Sequence, residues 1–269
     1  MSDIDPAHVI HTQIWREDAE PDNPFATRAA YCRGYDVFGQ MVGRTRWVEM
    51  LYLLFRDELP DVRVLDALEA LAVALANPGP RDPSIHAAMC AGVGGSTAAA
   101  SLIAALSVGA GRYHGARDVF DAMMAWEAGG TDLEALVAHL RRDSSDEIDI
   151  WPPREHPPGF EPHGVSTPTI VRQLLDTLST IYPSGTLLWL AQHREAFETR
   201  IELPLDISGV AAAALHDFGF AAAEGEMLFL LLRLPGAAAH ALEQTGLGYR
   251  KFPFGPISLE NDPLRTEAA

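Results

Sequence analysis

The sequence predicts an all-α fold, and three observations lead to that class. Apolar residues recur at helical spacing in one segment after another, strand-type alternation of β-branched residues is nearly absent, and proline- and glycine-rich breakers separate the segments. The predicted helices are Val62–Ala76, Ala98–Val108, Val119–Ala128, Asp132–Arg141, Ile170–Ile181, Leu187–Phe197, Val210–Phe218, Glu226–Arg233 and Ala237–Gln244. We therefore expect a protein built from packed helices.

The breakers suggest how these helices are organised along the chain. They are Asn77-Pro-Gly-Pro, the stretch Trp151–Gly159, Tyr182-Pro-Ser-Gly and Leu234-Pro-Gly, and each is predicted to end a helix. We expect a large helical domain made of 1–117 and 201–269, with a smaller helical domain at 118–200. The terminal segments Met1–Phe25 and Phe252–Ala269 are predicted to be extended and available to wrap around a partner.

Composition excludes several classes of function. The chain has 269 residues, of which 48% are hydrophobic, enough for a substantial core, and its net charge of −17 argues against binding to nucleic acid or to an anionic membrane. It contains no apolar run of roughly 18 residues, and Met1-Ser-Asp-Ile-Asp lacks the features of a secretory signal. Its two cysteines, Cys32 and Cys90, form no CxxC motif. We expect a cytoplasmic protein without disulfides.

Two histidines flanked by glycine lie where predicted helices break. His114 stands in Gly111-Arg-Tyr-His-Gly-Ala, and His163 stands in Pro158-Gly-Phe-Glu-Pro-His-Gly-Val. Flexible backbone allows an imidazole to turn toward a cleft, and its ordinary pKa suits proton transfer near neutral pH. Near a helix N-terminus, His114 is expected to be neutral and to donate a hydrogen bond. The alternative for either histidine is a structural role beneath a turn.

A carboxylate and a guanidinium complete the set of candidates. Asp206 lies in Leu203-Pro-Leu-Asp-Ile-Ser-Gly, just before a predicted helix. It either caps that helix, which would explain the residue fully, or acts as a base. Arg233 ends the apolar run Met227–Leu232 and should have an anionic partner, which is either an internal carboxylate or a carboxylate of the substrate.

Other polar and glycine-rich segments give weaker signals. Gly92-Val-Gly-Gly and Gly109-Ala-Gly lack the context of a phosphate-binding loop, and close helix packing explains them better. The spacings of His8 with His11 and of His86 with Cys90 would allow chelation, but no recognised third ligand is nearby. No metal site is predicted.

Taken in order along the chain, several motifs resemble those of the citrate synthase superfamily, most closely its short citryl-CoA-lyase-like members. They are Arg33-Gly-Tyr-Asp-Val with Trp47–Pro60, then Ser96-Thr97, Tyr113-His-Gly-Ala, Pro158-Gly-Phe-Glu-Pro-His-Gly-Val, Leu215-His-Asp-Phe-Gly-Phe, and Arg233-Leu-Pro-Gly-Ala-Ala-Ala-His-Ala-Leu-Glu-Gln. The resemblance spans most of the chain.

The resemblance implies a citrate-synthase-like helical homodimer whose cleft closes on an acyl-CoA thioester and a keto acid or dicarboxylate. Coenzyme A enters as part of the substrate, and no resident cofactor is implied. If the family's roles apply to the matching residues, His114 hydrogen-bonds the thioester carbonyl and Asp206 exchanges the α-proton. His163 then exchanges a proton with the keto-acid oxygen, and Arg233 binds a substrate carboxylate. The implied reaction makes or breaks a carbon–carbon bond, with citryl-CoA cleavage favoured over citrate synthesis by the length of the chain.

Two alternatives stay open at this point. Asp206 precedes Gly209 by three residues, a spacing found in neither the synthase nor the lyase pattern, so Ser208 is the other candidate for the position of the base. The chain is also compatible with a catalytically inactive member that binds acyl-CoA or dicarboxylate as a regulatory or scaffold dimer.

Overall fold

The computed structural model describes residues 10–141, 155–252 and 255. These residues form ten α-helices and one three-stranded sheet. The helices are α1 (Trp47–Phe55), α2 (Val62–Leu75), α3 (Pro83–Val93), α4 (Ala98–Gly109), α5 (Ala116–Gly129), α6 (Leu133–Leu140), α7 (Thr169–Ile181), α8 (Gly185–Ile201), α9 (Ile207–Asp217) and α10 (Ala222–Leu247). The predicted helical class is confirmed, and none of the described helices is long and apolar enough to cross a bilayer.

A small antiparallel sheet near the N-terminus is absent from the sequence-based prediction. Its strands β1 (Trp15–Ala19), β2 (Thr27–Cys32) and β3 (Tyr35–Asp36) pair in that order. Arg33 and Gly34 join β2 to β3 with positive φ angles of 49° and 92°, which suit a tight hairpin. Strand β1 is largely exposed, so it has no buried face to produce the apolar alternation that identifies a strand.

Helix α9 forms the centre of the core. Its residues from Ser208 to Leu215 are all buried, and helices α2, α5, α7, α8 and α10 pack around it. A helix that is apolar on all sides can only be accommodated inside a protein. Because its N-terminus carries Asp206, that carboxylate is attached to the most enclosed element of the fold.

The predicted break at Leu234-Pro-Gly is wrong, since α10 runs through Pro235 without interruption. The backbone of α2 explains the continuity, because the N–H of Gly236 donates to the carbonyl of Ala76 at 2.8 Å. A Cβ atom at position 236 would lie only 2.7 Å from that oxygen, so the glycine is what permits the approach. A neighbouring chain segment thus supplies a hydrogen bond that a proline-containing helix cannot supply internally.

Helix α3 has no counterpart among the predicted helices, although its start is marked in the sequence. Asp82 caps it by accepting from the N–H groups of Ser84 and Ile85, and Pro83 occupies the first turn. The packing explanation for Gly92 is confirmed, because a Cβ atom there would overlap the carbonyl oxygen of Ala241 on α10.

We expect Gly92→Ala to lower the free energy of unfolding by about 1–3 kcal/mol, because α3 and α10 must separate to admit the methyl group. Gly246→Ala, in the same helix pair but with no atom within 4 Å of the new Cβ, should change stability by at most about 1 kcal/mol. Urea unfolding followed by circular dichroism measures both variants, and equal stabilities would contradict the close packing.

Candidate active site

His114 lies in the connection between α4 and α5 and has an unusual backbone conformation. Its φ is +52°, a left-handed value that is uncommon for any residue except glycine. Gly115, the N-cap of α5, is required as glycine because a Cβ atom there would overlap the carbonyl oxygen of Gly111. The carbonyl of His114 accepts a hydrogen bond from Arg233 Nη1 at 3.2 Å. The turn that presents the imidazole is therefore held from two sides, as expected of strain at a functional position.

The Asp206 carboxylate meets this imidazole at the N-terminus of α9. Asp206 is 9% exposed, and its Oδ2 lies 3.3 Å from His114 Nδ1. The same oxygen accepts from the backbone N–H of Ser208 at 3.3 Å and contacts the Ser208 hydroxyl at 2.9 Å. Asp206 is thus both a helix cap and the partner of His114. Of the two candidates for the base position, Asp206 is the one in contact with the imidazole.

A short backbone bridge brings a second segment to the site. The Glu161 N–H donates to the Pro204 carbonyl at 2.9 Å, and the Asp206 N–H donates to the Gly159 carbonyl at 3.0 Å. Phe160, between them, is buried in the core. Gly159 has a φ of +86°, and a Cβ atom there would lie 2.9 Å from the Cα of Gly209. Residues 159–161 are consequently fixed directly beside the start of α9.

Asp118 connects the Gly159 segment to the start of α9, and it was not among the residues predicted from the sequence. It is 1% exposed, and its Oδ2 accepts from the Gly159 N–H at 2.9 Å and from the Ser208 hydroxyl at 2.8 Å. A hydroxyl has one proton, so Ser208 can donate to Asp118 or to Asp206 but not to both at once. The sequence signal that could have identified Asp118 is its position as an acidic residue in the first turn of the helix after His114. A favourable interaction with the helix dipole explains that position equally well.

The charges around His114 favour its protonated form. The hydrogen bond to Asp206 raises the pKa of His114 above 6.5 against the opposing effect of burial, and the negative charges of Glu161 and Asp118 add to the rise. Burial by itself raises the pKa of Asp206, but hydrogen bonds from His114, the backbone and Ser208 outweigh it and the net pKa is lowered. This direction runs against the expectation of a neutral His114, because the hydrogen bond and negative charges of the carboxylates oppose the helix dipole.

We expect His114 to titrate above its ordinary pKa of about 6.5 and to titrate lower in Asp206→Asn, which lacks the negative charge. Because the pKa of His114 is higher in the folded than in the unfolded protein, protonation of His114 stabilises the folded state. This stabilisation is fully present below the unfolded-state pKa and is lost as the pH rises through the folded-state pKa. NMR titration of the histidine ring protons, assigned with His114→Gln, measures the shift. A His114 pKa at or below 6.5 would contradict the ion pair.

Arg233 has an internal carboxylate as its partner. Its guanidinium forms an ion pair with Asp82, the N-cap of α3, while also donating to the His114 carbonyl. Arg233 is 7% exposed and its carbon Cζ lies 4.8 Å from the centre of the Phe229 ring. These contacts support the backbone of His114 and join α3 to α10. The role of Arg233 in binding a substrate carboxylate stays a prediction.

His163 is exposed, and its backbone N–H donates to Glu161 Oε1 at 2.9 Å. Within the described ranges, no hydrogen bond or ion pair joins its ring to His114 or Asp206. The ring that does approach belongs to His156, which is buried and whose centre lies 5.7 Å from that of His114. Sequence reasoning did not single out His156 or Glu161, and the proton-transfer role of His163 stays a prediction.

One group of potential metal ligands occurs in the described part of the chain. His114, Glu161 and Asp206 offer one atom each, all within 4.8 Å of one another. The hydrogen bond between His114 and Asp206 accounts for two of these ligands without a cation. Of the weaker chelating candidates, His8 lies outside the described residues, and neither His86 nor Cys90 belongs to such a group within the described residues.

Together, the fold and this cluster define a helical protein with a part-buried imidazole–carboxylate site suited to moving protons. No protein-family model matches the sequence, and no curated protein sequence is significantly similar to it. Solved structures do match in fold. Citryl-CoA lyase from Hydrogenobacter thermophilus superposes with a TM-score of 0.72 at 22% identity, over 96% of this chain and 97% of that one.

Two ATP citrate lyases share the same fold. The enzyme from Methanothrix soehngenii, in complex with citrate and coenzyme A, has a TM-score of 0.68 at 18% identity and is matched by 98% of this chain. A variant from Methanosaeta concilii in complex with (3S)-citryl-CoA has a TM-score of 0.69, also at 18% identity over 98% of this chain. The present chain spans 44% of the length of each of those proteins, so the shared fold is one part of them.

Proposed function

We propose that this protein is an enzyme of the citryl-CoA lyase type, which cleaves citryl-CoA or a closely related acyl-CoA into acetyl-CoA and a keto acid. The single observation that carries the proposal is the contact between His114 Nδ1 and the Asp206 carboxylate, 3.3 Å apart at the N-terminus of a buried helix. The fold shared with citryl-CoA lyase over nearly the full length of both chains supports it.

The reaction requires one proton to leave an oxygen and one to reach a carbon. The tertiary hydroxyl of citryl-CoA gives up its proton, and the bond between the carbinol carbon and the thioester α-carbon breaks. The oxygen then becomes the keto oxygen of oxaloacetate. The bonding electrons move into the thioester, whose α-carbon takes a proton to become the methyl group of acetyl-CoA.

Each end of the His114–Asp206 pair has a task in this scheme. Nδ1 of His114 is hydrogen-bonded to Asp206, whereas Nε2 has only the Glu161 carboxylate at 3.9 Å, beyond hydrogen-bond distance, so Nε2 is the nitrogen that can donate to the thioester carbonyl as negative charge develops there. Asp206 transfers the proton that the pair shares to the α-carbon, and in the reverse direction removes it. The lowered pKa of Asp206 keeps it ionised and ready to act as a base on acetyl-CoA.

A third group must exchange a proton with the keto-acid oxygen. The segment that carries Glu161 and His163 is joined to Asp206 by the backbone bridge, which supports this segment as the source of that group. The resemblance assigned this task to His163. The homodimer and the division into domains 1–117 with 201–269 and 118–200 also stay predictions.

The experiment that tests the proposed function is incubation of the protein with citryl-CoA. Oxaloacetate is detected through malate dehydrogenase and acetyl-CoA by mass spectrometry, with and without EDTA so that dependence on a divalent cation is also seen. In parallel, acetyl-CoA is incubated in D₂O to follow deuterium entry into its methyl group. Formation of both products with methyl exchange supports the proposal. Binding of acetyl-CoA without exchange or cleavage would instead indicate the inactive alternative.

A further inference from the structure

Of the three mutually close groups His114, Asp206 and Glu161, the scheme above leaves Glu161 without a task. Resting on the proposed function, we propose that the Glu161 carboxylate exchanges the proton with the oxygen at the keto-acid end of the substrate. It would thereby act as the base on the hydroxyl in cleavage and as the acid in the reverse direction.

The position of Glu161 relative to His114 is the first argument. Its Oε2 lies 3.9 Å from His114 Nε2, the nitrogen opposite to the one that contacts Asp206. The imidazole thus has one carboxylate at each ring nitrogen. In citryl-CoA the carbon that carries the hydroxyl is bonded directly to the α-carbon of the thioester. A thioester carbonyl bound at Nε2 therefore brings the hydroxyl to the side of the ring on which Glu161 lies.

The second argument is that Glu161 is held in place and remains accessible. Its other oxygen, Oε1, accepts the N–H of His163 at 2.9 Å, and its own N–H is bonded to Pro204. A Cβ atom at Gly164 would lie 2.9 Å from both the Cγ of Glu161 and the Cγ of Pro204, so the glycine leaves room for the glutamate stem. The side chain is 25% exposed, which allows a ligand to reach it.

Proton balance gives the third argument. Cleavage leaves a proton on Glu161 and removes one from the His114–Asp206 pair. After the products leave, Glu161 releases its proton to solvent and the His114–Asp206 pair takes one up, since the side chains of Glu161 and His114 are both partly exposed. The cluster returns to its starting state without another reactant.

We expect Glu161→Gln to lower the rate of citryl-CoA cleavage by about 10²–10⁴-fold, because an amide can neither accept nor release the hydroxyl proton. The variant keeps an oxygen that accepts the His163 N–H, so folding should be retained, as thermal unfolding will show. Deuterium exchange into the acetyl-CoA methyl group should fall much less than cleavage does, since Asp206 performs that step. Glu195→Gln, which removes a similar charge from the exposed side of α8, controls for net charge.

A third readout does not depend on turnover. Loss of the Glu161 charge should lower the pKa of His114 in an NMR titration, by less than Asp206→Asn lowers it. Two results would overturn this inference and leave the proposed function standing. One is cleavage by Glu161→Gln at the wild-type rate, and the other is a loss of cleavage that occurs only in His163→Asn or His156→Asn. An unchanged His114 pKa would also overturn it. A wild-type protein without cleavage or methyl exchange would overturn the proposed function, and this inference with it.

Discussion

Asp206→Asn is expected to lower the turnover of citryl-CoA, and methyl exchange in acetyl-CoA, by about 10²–10⁴-fold while leaving the protein folded. Asparagine caps helices as well as aspartate does and can still contact Ser208, so α9 keeps its N-terminal hydrogen bonds. What the variant loses is a group able to hold and release a proton beside the α-carbon. The two rates and the thermal unfolding transition are the quantities to measure.

The matched control for this substitution is Asp61→Asn. Asp61 caps α2 through the N–H groups of Arg63 and Val64 but lies in a different part of the fold, so its variant should retain full turnover. His114→Ala should reduce turnover as Asp206→Asn does, because it removes the donor to the thioester carbonyl. Methyl exchange at the wild-type rate in Asp206→Asn would show that the aspartate is a helix cap and nothing more.

Arg233→Met is expected to lower the free energy of unfolding by about 3–5 kcal/mol, because it leaves the Asp82 carboxylate low in solvent exposure and without its cation. Methionine keeps an apolar stem against Phe229, so the loss reflects the charge more than the packing. The substitution also removes a hydrogen bond to the backbone of His114. Urea unfolding gives the change in stability, and the turnover of the folded fraction reports on the His114 turn.

Two further variants isolate the buried charge. Arg233→Met combined with Asp82→Asn removes both charges while the asparagine still caps α3, so the double variant should be more stable than Arg233→Met alone. Arg200→Met breaks the exposed ion pair with Glu134 and should change the free energy of unfolding far less than Arg233→Met does. Equal losses in Arg233→Met and Arg200→Met would contradict the distinction between buried and exposed pairs.

The part of the site that local sequence rules describe was predictable. His114 was found because glycines surround it at a helix break, and Asp206 because it precedes an apolar helix in a capping position. The structure places these two side chains in contact although 92 positions separate them in the chain. Most of the helices were predictable for the same reason, since their apolar residues repeat at the spacing of one helix face.

The rest depends on contacts between distant segments, which no local pattern encodes. Asp118 and Glu161 look like ordinary surface acids in the sequence. The bridge between 159–161 and 204–206 brings Glu161 to the cluster, and Asp118 joins it by accepting from the Gly159 N–H and the Ser208 hydroxyl. The continuity of α10 through Pro235 likewise depends on a carbonyl of α2. The ion partner of Arg233 lies 151 positions away, so the sequence alone left open whether the partner is an internal carboxylate, the more common case, or a carboxylate of the substrate.

The enclosure of α9 has a consequence for how the protein responds to heat. A helix surrounded by five others cannot fray independently, and its opening requires the free energy of global unfolding. Asp206 therefore keeps its place until the whole tertiary structure is lost. We therefore expect any loss of activity that arises from displacement of Asp206 to coincide with melting of the whole protein.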